Sequence, residues 1–414
     1  MKVSSPALDQ IWIVAPSTIL AGETGFDRFR YLAEKLTERG HRVRLLTSSF
    51  SHTERRFRDK ETVERQSRRS GYSIDLLREN GFWTDSLWER LRSSMQFNAH
   101  LQALLDECKQ PPKLIYSACP QIGAARIAAR FAKRWNIPFA VDIVKTSFAW
   151  DASSVLPVML PSGLRKALGL PFRLQAERIY GMADYVVGVS DSAVEHGRHV
   201  NSHAKAYCPV YIGADVARYN EVNDSFYKPQ SQFWFTSWQE LHSGCDTGTA
   251  IRAIARVKQQ GYPHVMLFVL GSGPYEDKLK RLAADLKAPV RFMGRCSEEE
   301  AAACLKWSDA ALGLARDGDA DTLAARLGDY LSAGLPVLHS SPELQKLLAP
   351  YGLGEVYSPG NDKQLAELML QWLQQKERLE MLRISARRLA AAKFDRSVSY
   401  EGIFKFIEGE IACS

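Results

Sequence analysis

The sequence has 414 residues, of which 45% are apolar and 24% charged, as in soluble globular proteins. It is too long for one ordinary core, so we expect two domains of about 200 residues each. The net charge of +7 is too small to indicate nucleic-acid binding, and no run of about 18 apolar residues predicts a membrane span. The N-terminus lacks the apolar core of a signal peptide, and the seven cysteines have no metal-like spacing. A cytoplasmic protein without a bound metal is therefore expected.

Strand-like and helical runs alternate through the first half of the chain. The predicted strands are 11–15, 42–47, 114–117, 139–144, 185–189 and 206–212. Helices are predicted at 24–39, at 122–135 and after Ser190. This alternation predicts a parallel sheet covered by helices.

The second half repeats the pattern after a polar, aperiodic segment that we interpret as a linker. Its predicted strands are 233–236, 265–270, 290–293, 310–315 and 336–339. Its predicted helices are 246–259, 275–286, 298–307, 323–332 and a long stretch over 362–391. The predicted organisation is an N-terminal domain 1–215, a linker 216–231, a second domain 232–393 and a C-terminal helix 394–414.

Two regions of the first half carry candidate substrate residues near strand ends. In an open parallel sheet, ligands bind at the carboxyl ends of the strands, and glycines there let a ligand approach the backbone. The loop after the first strand supplies Gly22, Glu23, Thr24 and Gly25. The fourth strand and the residues after it supply Asp142 and Lys145.

His52 opens a dense basic stretch, 52–69, after the second predicted strand. Two interpretations stay open. The stretch is a solvated face, or it is a mobile element that meets a phosphate-bearing acceptor through its arginines.

In the second half, glycines and cations follow the strands. Gly271 and Gly273 form a Gly-Ser-Gly-Pro turn after a strongly apolar strand, and Arg295 follows the next strand. His242 lies in the loop after the first strand of this half. By itself the Gly-Ser-Gly-Pro sequence predicts only a tight turn, and for Arg295 a surface role and a binding role stay open.

The segment DGDADTLAARLGDYLSAGLPVL is the most informative one. Asp321 and Asp329 are eight positions apart, so on a helix they lie about 80° apart and two turns along. The N–H groups of Thr322 and Leu323 at the helix start are free to bind an anion. Arg326 shares a face with Asp329. The alternative is an acidic N-cap with a surface salt bridge.

These motifs resemble the family-four glycosyltransferases with the GT-B fold. The resemblance rests on LAEKLTERGHRV at 32–43, the turn at 271–274 and the paired acids before Ala-Gly-Leu-Pro-Val at 333–337. The family has glutamates where this chain has Asp321 and Asp329. It also has an Arg/Lys pair in the loop where this chain retains His242.

The resemblance implies an α/β fold of two Rossmann-like, doubly wound domains facing each other. The first would hold the acceptor, with contacts at Gly22, Glu23, Thr24, Gly25 and His52. The second would hold a nucleotide-sugar donor. There Arg326 would meet phosphate, Asp329 ribose, and Asp321 with the N–H groups of Thr322 and Leu323 the sugar and diphosphate. The remaining donor-site residues implied are Gly271, Gly273, Arg295 and His242, and the catalytic group implied is Asp321, Asp142 and Lys145.

The implied reaction moves a hexose to a hydroxyl of a glycan or lipid-linked acceptor, with retention and with no metal or cofactor. We expect a role in cell-surface polysaccharide synthesis, at the inner face of the plasma membrane. An apolar, basic stretch at 155–173 is a candidate peripheral membrane contact. The alternatives are a nucleotide-sugar 2-epimerase and a non-catalytic GT-B protein that binds a sugar or a partner subunit.

Overall fold

The protein is described by a computed structural model over residues 10–23, 25–84, 86–144, 162–221, 227–316 and 320–409. Only the backbone is described at residues 87, 162–168, 320–322 and 376. Two compact units are present. One comprises the chain up to Val210 together with the segment from Tyr400, and the other runs from Tyr211 to Ser399.

A seven-stranded sheet organises the first unit, in the order β5-β2-β1-β6-β7-β8-β9. Its strands are β1 (Gln10–Val14), β2 (Arg42–Ser48), β5 (Ser73–Leu77), β6 (Leu114–Cys119), β7 (Phe139–Ile143), β8 (Tyr185–Gly188) and β9 (Ala206–Pro209). All of the neighbouring strands pair in parallel. A small antiparallel hairpin, β3 (Phe50–Ser51) and β4 (Arg56–Phe57), follows β2.

Helices cover both faces of this sheet, which is why the central strands β6 and β7 are buried along their whole length. The helices are α1 (Arg28–Glu38), α2 (Lys60–Ser70), α3 (Leu87–Asp106), α4 (Ile122–Trp135), α5 (Ser162–Tyr180) and α6 (Asp191–Val200). Asp27 is the N-cap of α1, and its carboxylate accepts hydrogen bonds from the N–H groups of Phe29 and Arg30. The C-terminal segment packs Ile403 and Phe404 into the same core as α1.

A six-stranded parallel sheet organises the second unit, in the order β12-β11-β10-β13-β14-β15. Its strands are β10 (Phe233–Trp238), β11 (Val265–Leu270), β12 (Val290–Gly294), β13 (Ala310–Gly313), β14 (Val337–His339) and β15 (Gly354–Val356). Its helices are α7 (Arg218–Glu221), α8 (Thr247–Gln259), α9 (Glu276–Asp285), α10 (Glu298–Trp307), α11 (Ala320–Ser332), α12 (Pro342–Leu348), α13 (Asp362–Gln374), α14 (Lys376–Leu389) and α15 (Arg396–Ser399). A 3-10 turn spans Ala349–Tyr351, a π-helical turn spans Ala390–Phe394, and α16 (Glu401–Glu408) belongs to the first unit.

The α/β class with two parallel sheets is confirmed, and the predicted strands all occur within a few residues of their expected bounds. The long helical stretch differs from the prediction, because it is divided at Gln375 into α13 and α14. Part of the predicted linker is also structured. Tyr219 on α7 is buried. Just before the predicted linker, the amide of Ala214 donates to the carbonyl of Phe394 (2.8 Å).

No helix in the described ranges is long and apolar enough to cross a membrane. Of the stretch 155–173, residues 155–161 lie outside the described residues, and the rest begins α5.

Candidate functional site

Two glycines of the turn after β11 are fixed by the backbone of the neighbouring loop. Gly271 has a φ of +118°, and a Cβ there would lie 2.0 Å from the carbonyl oxygen of Gln239. A Cβ on Gly273 would lie 2.4 Å from the carbonyl oxygen of Leu241, whose amide donates to the carbonyl of Ser272 (3.0 Å). Glycine is therefore required at both positions. The two loops form one interlocked backbone edge at the carboxyl end of the second sheet.

Asp246 stabilises the loop after β10 and is not among the predicted site residues. This buried carboxylate accepts the hydroxyls of Thr249 (2.7 Å) and Tyr357 (3.2 Å) and the amide of Gly360 (3.0 Å). On the same loop, Nδ1 of His242 accepts the amide of Gly244 (3.0 Å). The loop in which the family carries two cations is therefore ordered here by neutral and acidic groups. The one feature of the sequence that points to Asp246 is its position directly before helix α8.

The helix that carries the paired acids, α11, begins at Ala320, three residues before the predicted start. The N–H group of Thr322 therefore belongs to its first turn, where backbone donors lack intrahelical partners. Leu323 is the fourth helical residue, the position at which i→i−4 hydrogen bonding begins, so its N–H is not one of the free donors that the sequence predicts. The side chain of Leu323 is buried against Gly313. The side chains of Asp321 and Thr322 lie outside the described part of the structure.

Arg326 and Asp329 meet on α11, as their spacing predicts. The guanidinium carbon of Arg326 lies 3.8 Å from the centroid of the Trp238 ring at the end of β10. Its Nη1 lies 3.5 Å from Oδ2 of Asp329. Arg326 is therefore a half-exposed cation stacked on an indole, beside the interlocked loops. The contact between Arg326 and Trp238 was not predicted, because Trp238 lies on β10, far from Arg326 in the sequence.

Asp329 is more enclosed than the sequence suggests. Its Oδ1 accepts the hydroxyl of Tyr219 (2.8 Å), and the residue is 7% exposed. Burial raises the pKa of Asp329, although the charges of Arg326 and Arg396 and the Tyr219 hydroxyl act against this. A ribose hydroxyl that bound this carboxylate would have to share it with Tyr219.

Arg295 is exposed just beyond β12. The preceding Gly294 accepts the amide of Gly271 through its carbonyl (2.7 Å). This bond connects the end of β12 to the same edge as the two interlocked loops.

In the first unit, Glu23 is a buried anchor. Nε and Nη2 of Arg58 donate to its two carboxylate oxygens (2.7 and 2.9 Å), and the amide of Leu20 donates as well (3.1 Å). Burial raises the pKa of Glu23, but the hydrogen bonds and charge of Arg58, together with hydrogen bonds from Leu20 and Ser51, leave that pKa lowered. The carboxylate thus fastens the first loop, in which Gly22 and Gly25 have positive φ.

Thr24, a predicted acceptor contact, and Lys145, predicted as part of the catalytic group, lie outside the described residues.

A polar cluster converges at the carboxyl edge of the first sheet. Nε2 of His52 lies 2.5 Å from Oε1 of the buried Glu79, and its Nδ1 lies 3.1 Å from Oγ of Ser17. Nε2 of Gln121 donates to the same Oγ (3.1 Å). If the Nε2–H donates to Glu79, Nδ1 is left to accept the Ser17 hydroxyl. Of this cluster, only His52 is a predicted site residue. Ser17, Glu79 and Gln121 each follow a different strand of the sheet, and that position is the one sequence signal they share.

Asp142 requires a correction, because the structure places this predicted catalytic residue inside the core of the first unit. It is fully buried, and its Oδ2 accepts Nε of Arg28 (2.9 Å) and the hydroxyl of Tyr116 (2.7 Å). Nη1 of Arg28 also donates to the carbonyl of Val210 (2.9 Å). Burial raises the pKa of Asp142, and the charge of Arg28 lowers it in part. This position suits a structural ion pair rather than a group that touches substrate.

In the described ranges, no group of three or more His, Cys, Asp and Glu residues is placed to hold a metal ion.

Comparison with known families assigns both halves. A family model described as "Glycosyl transferase 4-like domain" matches residues 27–213, and one described as "Glycosyl transferases group 1" matches residues 246–389. Together they span well over half of the chain. The chain belongs to the GT-B glycosyltransferases.

Solved structures with the same fold cover nearly the whole of this GT-B glycosyltransferase. Sucrose-phosphate synthase (tll1590) from Thermosynechococcus elongatus is 14% identical, with a TM-score of 0.72 over 97% of this chain and 98% of that one. Anabaena Alr3699/HepE in complex with UDP-glucose is 14% identical, with a TM-score of 0.63 over 97% and 99%. WaaG, a glycosyltransferase involved in lipopolysaccharide biosynthesis, is 15% identical, with a TM-score of 0.66 over 96% and 100%. At these identities the likeness concerns the fold. A search of curated proteins gives no match.

Within this GT-B glycosyltransferase, the described site residues fall into two groups, one at the carboxyl edge of each sheet. The second unit supplies Arg326, Trp238 and the interlocked loops. The first unit supplies the His52 cluster.

Proposed function

We propose that this glycosyltransferase moves a hexose from a nucleotide-diphosphate sugar to a hydroxyl of a glycan or lipid-linked acceptor. The domain of residues 232–393 would bind the donor and that of residues 1–215 the acceptor. The observation that carries the proposal is the cation stacked on Trp238 beside the interlocked loops and α11. It supports a site for an anionic group such as a diphosphate.

The donor side combines three features that suit a nucleoside diphosphate. Arg326 is held over Trp238 and supplies a positive charge. The first turn of α11 supplies backbone N–H groups that could donate to the oxygens of a phosphate, since the N-terminus of a helix favours anions. A solved GT-B neighbour, HepE, is described in complex with UDP-glucose, which supports a donor of this class here.

The acceptor side is proposed to be the His52 cluster. In the tautomer described above, the Nδ1 lone pair of His52 accepts the hydroxyl of the exposed Ser17, so a sugar hydroxyl would bind here by replacing Ser17 as the donor to Nδ1. Glu79 fixes the ring through Nε2, so the imidazole is oriented before an acceptor binds.

We further propose a retaining, metal-free reaction in which the leaving phosphate takes the proton of the acceptor hydroxyl. Positive charge and helix N–H groups would stabilise the leaving diphosphate. We also propose a role in cell-surface polysaccharide synthesis, at the inner face of the plasma membrane. The solved neighbour WaaG, described as involved in lipopolysaccharide biosynthesis, supports the first part of this proposal.

A thermal-shift series tests the donor proposal. The protein is heated alone and with UDP, GDP, ADP and their hexose derivatives. We expect at least one nucleoside diphosphate to raise the melting temperature, because a ligand of the native state stabilises it. No shift with any of these nucleotides would refute the donor site.

The His52–Glu79 pair also favours a second candidate, a nucleotide-sugar 2-epimerase, since that reaction requires side chains that exchange protons. Product analysis separates the two. A transferase releases nucleoside diphosphate, slowly even with water as acceptor, whereas an epimerase that inverts C2 of the intact donor leaves the nucleotide attached to the altered sugar. A protein that shifts with nucleotide but changes no donor would instead be a non-catalytic binder.

A further inference from the structure

Helix α3 exposes a row of large apolar side chains. One side of the helix packs Phe97, Leu101 and Leu105 into the core. The opposite side presents Trp88, 78% exposed, and Met95, 70% exposed, with Leu91 between them. Positions 88, 91 and 95 recur at helical spacing and share a face. A helix that already buries one face ordinarily presents polar residues on the other, so this second apolar row requires a different explanation.

Two further exposed aromatic residues extend the row. Phe57 on β4 and Trp83 are both exposed, and their ring centroids lie 5.8 Å apart. The segment of Trp83 is tied to α3, since Oε2 of Glu89 accepts the amides of Trp83 (3.1 Å) and Thr84 (3.2 Å). We call Phe57, Trp83, Trp88, Leu91 and Met95 the aromatic surface.

Arginines are interspersed with the aromatic surface. Residues 54–57 and 83–95 contain four arginines (55, 56, 90 and 92) against two glutamates and Asp85. Both glutamates have local partners, because Glu54 pairs with Arg56 and Glu89 accepts backbone amides. The surface therefore combines indole rings and an excess of positive charge. This combination suits the headgroup region of an anionic membrane, where tryptophan and arginine both favour the interface.

We propose that the aromatic surface docks the first unit onto an anionic lipid bilayer. This deepens the membrane contact of the proposed function and places it on α3 and β4. A chain of ring contacts connects the aromatic surface to the candidate acceptor site. The ring of Trp83 lies 5.6 Å from that of Phe50, which contacts Phe82, and the ring of Phe82 lies 5.1 Å from that of His52. The step from docking to a lipid-linked acceptor rests on the proposed function. The docking itself does not.

Co-sedimentation of the full chain with vesicles tests the docking. Phosphatidylcholine vesicles are compared with vesicles that also contain phosphatidylglycerol. We expect wild type to pellet with the anionic vesicles and to be released by salt. The variant Trp88→Ser/Met95→Ser should bind at least about tenfold more weakly, because it loses two large apolar anchors. Arg56→Gln/Arg92→Gln should lose roughly fivefold for each charge on the anionic vesicles.

The second unit supplies a matched control, Met381→Ser/Ile384→Ser, since both of these apolar side chains are also exposed. It should pellet like wild type. The proposal is overturned if wild type ignores anionic vesicles, or if the α3 variant and the control pellet alike. It is also overturned if the α3 substitutions abolish self-association in sedimentation equilibrium while vesicle binding is absent, because the surface then joins protein copies. The nucleotide thermal shifts are measured without vesicles. A failure of the donor-site proposal can therefore be distinguished from a failure of the docking proposal.

Discussion

The buried ion pair of the first unit gives a prediction that separates structure from catalysis. Asp142→Asn keeps the shape of the side chain but removes its charge, which leaves the buried Arg28 guanidinium without its counter-ion. Breaking a fully buried pair from one side costs about 3–5 kcal/mol, a large share of the roughly 5–15 kcal/mol that stabilises a folded protein. For a unit of this size we expect the melting temperature to fall by roughly 10 °C.

Two controls sharpen this prediction. Asp106→Asn breaks an exposed ion pair between Asp106 and Arg134 in the same unit, and it should leave the melting temperature nearly unchanged. The double variant Arg28→Met/Asp142→Leu removes both buried charges, and it should be more stable than Asp142→Asn.

The assay is urea unfolding followed by circular dichroism, together with turnover of nucleotide sugars below the unfolding transition. The expected result is a large loss of stability with turnover retained by the folded fraction. If Asp142→Asn unfolds like wild type but loses turnover, the carboxylate acts on substrate and our assignment to the core is refuted.

Three other predictions follow from the second unit. Gly271→Ala should lose both stability and the nucleotide thermal shift, because its Cβ meets a carbonyl at 2.0 Å, whereas Gly261→Ala, also at positive φ but with open space around it, should cost only about 1 kcal/mol and keep the shift. Arg326→Ala should reduce the nucleotide shift, and Arg291→Ala, an exposed arginine that lies over Phe268, should not; equal shifts for the two would exclude Arg326 from the site. Burial lowers the pKa of His339 to about 4, so on acidification the unfolded state takes up the proton before the folded state does. The free energy of unfolding should therefore fall by about 2 kcal/mol between roughly pH 7 and pH 5. In urea titrations His339→Gln should weaken this dependence on pH, and an unchanged dependence would contradict the low pKa of His339.

Much of the fold follows directly from the sequence. Apolar runs such as VMLFVL at 265–270 become central strands, because a parallel sheet is covered on both faces. The same reasoning placed Arg326 and Asp329 on one helix, since backbone spacing alone decides which positions share a face.

The remaining features depend on contacts between distant segments. Tyr219 comes from a polar, aperiodic stretch, and only the folded chain brings its hydroxyl to Asp329. Asp142 ends a strand, but the sequence does not show whether its side chain faces a ligand or Arg28. α3 was missed because apolar side chains occur on two of its faces, which weakens the helical periodicity. The domain boundaries stay a prediction, although the compact units divide at Val210 and Ser399.

Calorimetric titration of the protein with nucleoside diphosphates and nucleotide sugars tests the central claim most directly. The account predicts saturable binding of at least one nucleoside diphosphate, strongly weakened in Arg326→Ala and retained in Arg291→Ala. No binding by wild type, or equal binding by both variants, would contradict a donor site built on Arg326 and Trp238.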